Sequence, residues 1–596
     1  MLENKLINTT TDAIEILYRQ KIDKSTINVQ RTNLQFRNQA DFTIMVFPLV
    51  RFSKKTPELT ANDLGDYLKA HLDFVQNYSV VKGFLNIKIS DIYWQVFLKN
   101  NYCDASYGIN QPDASMPPVL VEFSSPNTNK PLHLGHIRNN LLGDSVSRIL
   151  KANGKNVVQV NLVNDRGIHI CKSMLAWLKW GRGETPESTG LKGDKLVGKY
   201  YVEFDKHYKS EIEKLKSEGI TEEDAEKKAP LMLEAQEMLR KWEQNDIVVR
   251  AVWKKMNSWV YEGFKKTYKQ LGIAFDKTYY ESQTYLLGKE IVNKGLAAGV
   301  FKQKEDGSVW VDLTSDGLDE KLLLRADGTS VYMTQDLGTA CLRYDDFAPE
   351  RMIYVVGNEQ NYHFEVLKKV LLKAGYNWAE NIIHFSYGMV ELPEGKMKSR
   401  EGTVVDADDL IDEVTETARQ ITMQLGKIEN FESEEAENLF KIIGLGGLKY
   451  FILKVDPVKN ILYNPAESVD FEGNTGPFIQ YTYARIQSLL RKAERKSETF
   501  KYSEIPILLE EERELILSCY DFKRVLTLAA EELSPALIAN YVYELAKLYN
   551  QFYQCIPVLK ETEENRKNFR LALSLFSGIL IKNSMELLGI EVPRRM

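Results

Sequence analysis

The sequence predicts an α/β protein: a doubly wound parallel sheet, preceded by a small α/β domain and followed by an all-α bundle. Three observations carry this reading. Strand and helix patterns alternate twice in the middle of the chain, residues 103–118 form a turn-rich break before them, and the patterns beyond about residue 434 are almost purely helical. At 596 residues the chain is too long for one core, and a norm of ~150 residues per domain leaves two to four. The divisions expected are 1–112, 113–465 and 466–596.

In the first division, Phe42 to Val50 reads as a strand, Ala61 to Phe74 as a helix, and the alternation Phe84-Leu85-Asn86-Ile87-Lys88-Ile89 as a second strand. The stretch from Cys103 to Pro118 is rich in turn formers and lacks apolar periodicity, as a connector does. A strand at 118–124 then leads into a helix marked by Ile137, Leu141, Val146, Ile149 and Leu150, which ends near Asn153-Gly154 before a strand at 156–163. The same order recurs with Met352 to Val356 as strand, His363 to Lys373 as helix and Ile382 to Val390 as strand. Two such units predict a parallel sheet whose ligands sit at the carboxyl ends of its strands. Residues 180–275 are Lys/Glu-rich with helical spacing, so they read as an insertion of solvated helices. In the last division, Tyr541, Leu545, Leu548 and Phe552 fall on one helical face of a bundle.

No apolar run reaches the ~20 residues that a membrane span needs, so no membrane association is expected. The first residues leave no uninterrupted apolar core for a signal peptide, and the expected location is the cytoplasm. The five cysteines are scattered and never spaced Cys-x-x-Cys, which argues against a disulfide framework or a thiolate metal site and for small buried hydrophobes. A net charge of −6 gives no global case for nucleic acid, although a local basic stripe remains compatible with it.

The chemistry concentrates in Pro131-Leu132-His133-Leu134-Gly135-His136, where two of the seven histidines flank a glycine at a strand-to-helix turn. There, cationic or hydrogen-bonding groups stand beside free backbone N–H groups, which suits an anionic ligand such as a triphosphate. Downstream, Gly395-Lys396-Met397-Lys398-Ser399-Arg400-Glu401-Gly402 follows the second strand–helix–strand unit, and glycines at both ends suit a loop that closes lysines over a polyphosphate.

Together these two segments resemble the signatures of the class I aminoacyl-tRNA synthetases, whose catalytic domain is Rossmann-like. Within that class the chain resembles the arginyl family. The stretches Val121 to Pro131, Leu324 to Asp336 and Gly473 to Tyr481 are similar to that family's motifs, and the resemblance runs from the N-terminal module to Met596. It implies ATP-dependent activation of L-arginine to arginyl-adenylate and transfer to the 3′ end of tRNA(Arg), with release of pyrophosphate and AMP. The catalytic residues it implies are His133, His136, Lys130, Lys396 and Lys398, with Leu134, Gly135, Met397 and Ser399 against ATP. Mg²⁺ enters with ATP, and no protein metal site is expected. The loop departs from the family pattern: Lys398 replaces its first serine, Ser399 its second lysine and Arg400 its last serine. Lys130, Lys398 and Arg400 are each candidates for the missing lysine's charge.

For the amino acid, the resemblance implies Glu122, Ser124, Asn127, Tyr332, Asp336 and Gln360. Chemistry supports Asp336 independently, because a carboxylate accepts a planar guanidinium bidentately, which a lysine ammonium cannot reproduce. Tyr332, four residues earlier, would pack on the aliphatic stem. A site built on such bonds rejects analogues lacking them by ~10⁴ to 10⁵, so no editing domain is expected. The resemblance assigns the bundle to the anticodon, with Tyr481 and Met596 at that site, the N-terminal module to the outer corner of the tRNA, activation to the tRNA-bound enzyme, and the monomer as the working form. A nucleotidylyltransferase, another class I synthetase and a silent tRNA-binding relative are the alternatives. The first leaves the lysine loop and the bundle unexplained, the second is discriminated by Tyr332 with Asp336, and intact His133, Gly135, His136 and Lys396 argue against the third.

Overall fold

The structure is a computed structural model that describes residues 2–32, 40–391, 405–424, 431–493, 500–503, 505 and 507–596. The chain divides into two compact units, one of residues 1–107, 485–522 and 544–580, the other of residues 108–484, 523–543 and 581–596.

In the first unit, strands β1 (Val29–Arg31), β2 (Phe42–Met45), β3 (Val75–Val81) and β4 (Phe84–Ile89) form an antiparallel sheet in the order β1-β2-β4-β3. The alternation read from Phe84 to Ile89 is the alternation of burial, with Leu85, Ile87 and Ile89 inside. The strand expected to run from Phe42 to Val50 stops at Met45, because Pro48 has no N–H to give a ladder and the chain turns through a 3₁₀ segment, Phe47–Leu49. The helix expected from Ala61 starts a turn earlier, as Pro57–His71, where the Thr56 hydroxyl caps the Leu59 N–H at 3.3 Å. Arg513 joins the sheet to a late helix of the same unit, donating to Asp41 at 2.6 Å and to the Ile89 carbonyl at 2.7 Å, and pairing with Asp91.

The second unit holds a five-stranded, all-parallel sheet of β5 (Val119–Glu122), β6 (Val157–Val163), β7 (Lys277–Tyr280), and, after a three-stranded antiparallel sheet of β8 (Lys302–Gln303), β9 (Val309–Val311) and β10 (Lys321–Leu324), the strands β11 (Arg351–Gly357) and β12 (Ile382–Tyr387). Its order is β12-β11-β5-β6-β7, so the direction of winding reverses between β5 and β11. Every residue of β5 is buried, as expected of a parallel strand covered on both faces. Beyond it, β13 (Val390–Glu391) pairs with β14 (Ile461–Leu462). Helix Leu134–Ala152 connects β5 to β6, and helix Asn361–Lys373 connects β11 to β12.

The insertion is helical, as expected, but not merely solvated. Helix Gly193–Ser217 buries Leu196, Val197, Tyr200, Tyr201 and Phe204, and helix Ile247–Leu271 buries Val260 and Phe264. Late in the chain the long elements are helices, including Ser433–Leu453, Gly476–Lys492, Pro535–Cys555 and Glu564–Leu587. Among the described residues no helix is long and apolar enough to cross a membrane. Cys171 and Cys519 are buried as expected, whereas Cys103 and Cys555 are exposed.

Candidate active site

The turn after β5 ends on an N-cap made by two imidazoles. His133 is the cap of helix Leu134–Ala152, and its Nδ1 accepts the Gly135 N–H at 3.1 Å, while His136 Nδ1 accepts the His133 N–H at 3.2 Å. This is a capping box with histidines in place of hydroxyl and carboxylate. Burial and the charge of Lys130 pull His133 down to about 4, and burial, His133 and Lys130 pull His136 well below the ordinary imidazole value. Both rings are therefore neutral at pH 7, not cationic. With Nδ1 accepting, each ring carries its proton on Nε2 and presents an N–H donor.

A cavity of about 540 Å³ opens here, lined by His133, Gly135, His136, Asn139, Gly357 and Gln360 among others. It lies at the carboxyl ends of β5 and β11, where the winding reverses and where a doubly wound sheet binds its ligand. Gly135 leaves this wall thin, since a Cβ there would stand 3.0 Å from the His133 ring. Leu134, at the same turn, is fully buried and faces the core. Asn139, which sequence reasoning missed, lies one turn beyond His136. Its amide donates to the Val355 carbonyl at 2.6 Å and to the Tyr387 hydroxyl at 3.1 Å, and its carbonyl accepts the Ser124 N–H at 2.6 Å, so one side chain ties the ends of three strands.

Beside this cavity carboxylates accumulate. Glu122, the last residue of β5, is 6% exposed and paired with Arg343 of helix Tyr332–Phe347. Burial pushes the Glu122 carboxyl up, with Arg343 opposing and Asp336 adding to the rise. An arginine keeps its proton in a protein, so the pair is carboxylate and guanidinium. Asp165, just after β6, is buried and accepts the Ser282 N–H at 2.8 Å, the Ser282 hydroxyl at 2.7 Å and the Tyr261 hydroxyl at 2.8 Å. Glu281, just after β7, is pushed up to about 7 by burial, Arg166 opposing and Asp165 and Asp336 reinforcing it. Asp336 itself accepts the Nε2–H of His363 at 2.6 Å. Four carboxyl groups thus gather against three guanidiniums, Arg343, Arg166 and Arg250, and such a cluster suits a cationic ligand.

The other residues expected at the amino-acid site are placed as follows. Ser124 sits at φ +65°, a strained conformation for a residue with a side chain, and its hydroxyl shares a 2.8 Å hydrogen bond with Tyr268. Asn127 is exposed on a turn held to the next strand by the bond from Thr128 N–H to the Asn164 carbonyl at 3.1 Å. Tyr332 is 80% exposed, one helical turn from Asp336. Gln360 lines the histidine cavity instead of the carboxylate cluster. Lys130 lines a second, smaller cavity with Pro131 and His133. Lys396, Met397, Lys398, Ser399 and Arg400 lie outside the described residues. Tyr481 is half-buried on helix Gly476–Lys492, and its neighbour Gln480 donates to the Glu591 carbonyl at 2.8 Å in the segment that leads to Met596.

Glu281, Asp165, Arg343 and His363 had no sequence signal of their own. Asp165 and Glu281, more than a hundred positions apart, meet through the sheet topology at neighbouring strand ends, and Arg343 and His363 reach the cluster from helices Tyr332–Phe347 and Asn361–Lys373.

The profile of the family "tRNA synthetases class I (R), catalytic domain" matches residues 105–464, and that of the "DALR anticodon binding domain" matches residues 479–596. The chain is 56% identical over the full length of both sequences to an arginine–tRNA ligase of Phocaeicola vulgatus and to one of Bacteroides thetaiotaomicron, and 54% identical, over 98% of each, to that of Flavobacterium psychrophilum. Its fold is similar to that of the Thermus thermophilus arginyl-tRNA synthetase, with a TM-score of 0.78 at 24% identity and complete coverage of both chains. The same score, at 21% identity, relates it to arginyl-tRNA synthetase from Plasmodium falciparum, covering 100% of this chain and 99% of that one. This chain belongs to the arginine–tRNA ligases, the arginyl family of class I aminoacyl-tRNA synthetases.

Proposed function

We propose that the chain performs its family's reaction with the two halves of the site in distinct roles: the neutral histidine turn receives ATP and the carboxylate cluster receives L-arginine. The observation that carries this reading is the presence, at the carboxyl end of one sheet, of paired Nε2–H donors and a cluster of carboxyl groups.

The arginine carboxylate oxygen attacks the α-phosphorus of ATP in line. A carboxyl–phosphate bond forms as the α–β anhydride bond breaks, and pyrophosphate leaves with the electron pair. His133 and His136 donate to the phosphate oxygens as charge builds there, and the Gly135 side of the helix N-terminus adds a favourable dipole. Lys130, Lys396 and Lys398 neutralise the departing pyrophosphate, with Met397, Ser399 and Leu134 shaping the nucleotide pocket. Mg²⁺ arrives as part of the ATP substrate. The terminal ribose hydroxyl of tRNA(Arg) then attacks the activated carbonyl, and AMP leaves.

On the other side, Asp336 and Glu281 receive the guanidinium, Tyr332 covers the aliphatic stem, and Glu122, Ser124 and Asn127 hold the ammonium and backbone end. Gln360, on the cavity wall, reaches the substrate from the nucleotide side. Tyr481 and Met596 act at the anticodon, where an aromatic ring stacks on an unpaired base. The N-terminal module contacts the outer corner of the tRNA. The enzyme works as a monomer in the cytoplasm.

Aminoacylation of total tRNA, assayed with each labelled amino acid in turn and Mg·ATP, tests the reading. Arginine alone is charged if the carboxylate cluster is the amino-acid site. Charging of another amino acid removes that assignment, and tRNA binding without charging removes the catalytic one.

A further inference from the structure

The insertion meets the histidine turn through an ionic knot that the family signature does not contain. Lys192, at the start of helix Gly193–Ser217, directs its three N–H donors to three acceptors: Asp194 at 3.0 Å, Thr267 of helix Ile247–Leu271 at 2.5 Å, and Asp408 at 2.6 Å. Thr267 in turn donates to the second oxygen of Asp408 at 3.0 Å. Asp194 is fully buried and the side chains of Lys192 and Asp408 are 14% and 13% exposed, so the knot is shielded from water. One turn along, Lys195 pairs with Asp409 at 2.6 Å and lies 3.6 Å from Asp406. Asp406, Asp408 and Asp409 lie at the start of helix Ala407–Gln424.

That start is fastened to the turn itself. The Ala407 N–H donates to the Leu132 carbonyl at 2.9 Å, and Asp406 bridges His133. From the other side Gly198 presses on Pro131: a Cβ at Gly198 would stand 2.9 Å from the proline ring, so only glycine allows the helix this close to Lys130–Pro131. The turn is therefore clasped between residues 405–409 and the insertion helix, and Lys192 and Lys195 join the two sides of the clasp.

We infer that Lys192 and Lys195 are positioning residues for adenylate formation, and that the insertion is the strut that fixes the Lys130–His136 turn. A buried ion pair contributes little net stability compared with apolar packing, but it selects one register among alternatives. A catalytic turn held in one register keeps its donors where charge develops, and a shift of ~1 Å costs as much as 10²-fold in rate. The inference rests on placing the chemistry at this turn.

The test is tRNA-stimulated, arginine-dependent ATP–pyrophosphate exchange by the full chain carrying Lys192→Met, Lys195→Met or Lys195→Arg. Lys195 is partly exposed, so its variants fold even if Lys192→Met does not. The expected result in Lys195→Met is a kcat lower by about tenfold, with the KM for arginine and the thermal midpoint little changed; Lys192→Met, which leaves Asp194 and Asp408 buried without their cation, lowers kcat by about fiftyfold and the thermal midpoint with it. Lys195→Arg restores most of the rate, because it keeps the charge facing Asp406 and Asp409. An unchanged kcat in folded Lys195→Met overturns the inference. So does a parallel fall of kcat, arginine affinity and melting temperature in Lys195→Met, which marks a merely structural role. A His136→Ala control separates the two readings: normal exchange there removes the turn from the chemistry and this inference with it, whereas loss of exchange there with an unaffected Lys195→Met removes only the strut.

Discussion

The histidine turn and the carboxylate cluster occupy neighbouring strand ends, and burial disfavours charge in both, with opposite consequences. At the turn it strips the protons that would make His133 and His136 cationic, leaving two neutral N–H donors whose Nδ1 atoms are already committed to the helix cap. In the cluster it pushes Glu122 and Glu281 up, and the neighbouring acids add to the rise. The first arrangement is complete before any ligand arrives. In the second, Arg343 and Arg166 already oppose the carboxyl groups, and in the proposed reading arginine brings the further charge. Donors fixed in advance favour a transition state whose charge is still developing, while a pocket short of one charge favours a ground state that carries it.

If the comparison holds, the two halves fail differently. The largest effect belongs to the turn: His136→Ala lowers kcat of arginine activation by about 10²- to 10³-fold, as the removal of one oxyanion donor does, and leaves arginine binding nearly unchanged. Steady-state kinetics in ATP and in arginine separate the two. A change confined to the arginine KM would exchange the roles assigned to the halves.

The next effect is a pH dependence confined to the cluster. Glu281 sits at about 7 in the free protein, and a bound guanidinium favours its ionised form, so binding releases a proton below that value. Arginine affinity therefore rises with pH below about 7 and levels off above it, with a slope of at most about tenfold per unit. His133, at about 4, lies outside this window. Calorimetry in buffers of different ionisation enthalpy reads the proton directly, and Glu281→Gln abolishes the slope. A slope that survives in that variant assigns the proton to another group.

The smallest effect is at Tyr332, which is exposed in the free protein and is the residue proposed to cover the substrate stem. Tyr332→Ala costs about 1 kcal/mol of apolar cover, near fivefold in arginine KM, with kcat unchanged. An unaltered KM would leave Asp336 without its neighbour.

The same contrast explains what could be read in the sequence. The histidine turn is local, six consecutive residues between a buried strand and an amphipathic helix, and both its position and its ligand class were legible. Its charge state was not, because the reciprocal cap and the burial that neutralise the rings arise only from folding. The carboxylate cluster is non-local. Glu122 and Asp336 were reached through motifs, but Asp165 and Glu281 join them through the parallel register of β5, β6 and β7, and Arg343 through the packing of helix Tyr332–Phe347 on β5. Strand β4 was legible from its alternation, whereas β7, four residues of Lys-Thr-Tyr-Tyr after a long insertion, shows no period and was missed. Helix Gly193–Ser217 looked solvated because its charged face dominates the composition, yet its apolar stripe and Gly198 carry its packing.

The most direct measurement is discrimination between arginine and citrulline, in which an oxygen replaces one guanidinium nitrogen and the positive charge is lost. Wild-type enzyme charges tRNA with arginine and rejects citrulline, because the cluster's carboxylates would stay buried and uncompensated. Asp336→Asn lowers kcat/KM for arginine by about 100-fold, the cost of removing one partner from a charge pair that the bound substrate would bury, and narrows the gap between the two substrates. Efficient charging of citrulline by the wild type, or an undiminished gap in Asp336→Asn, would contradict the account.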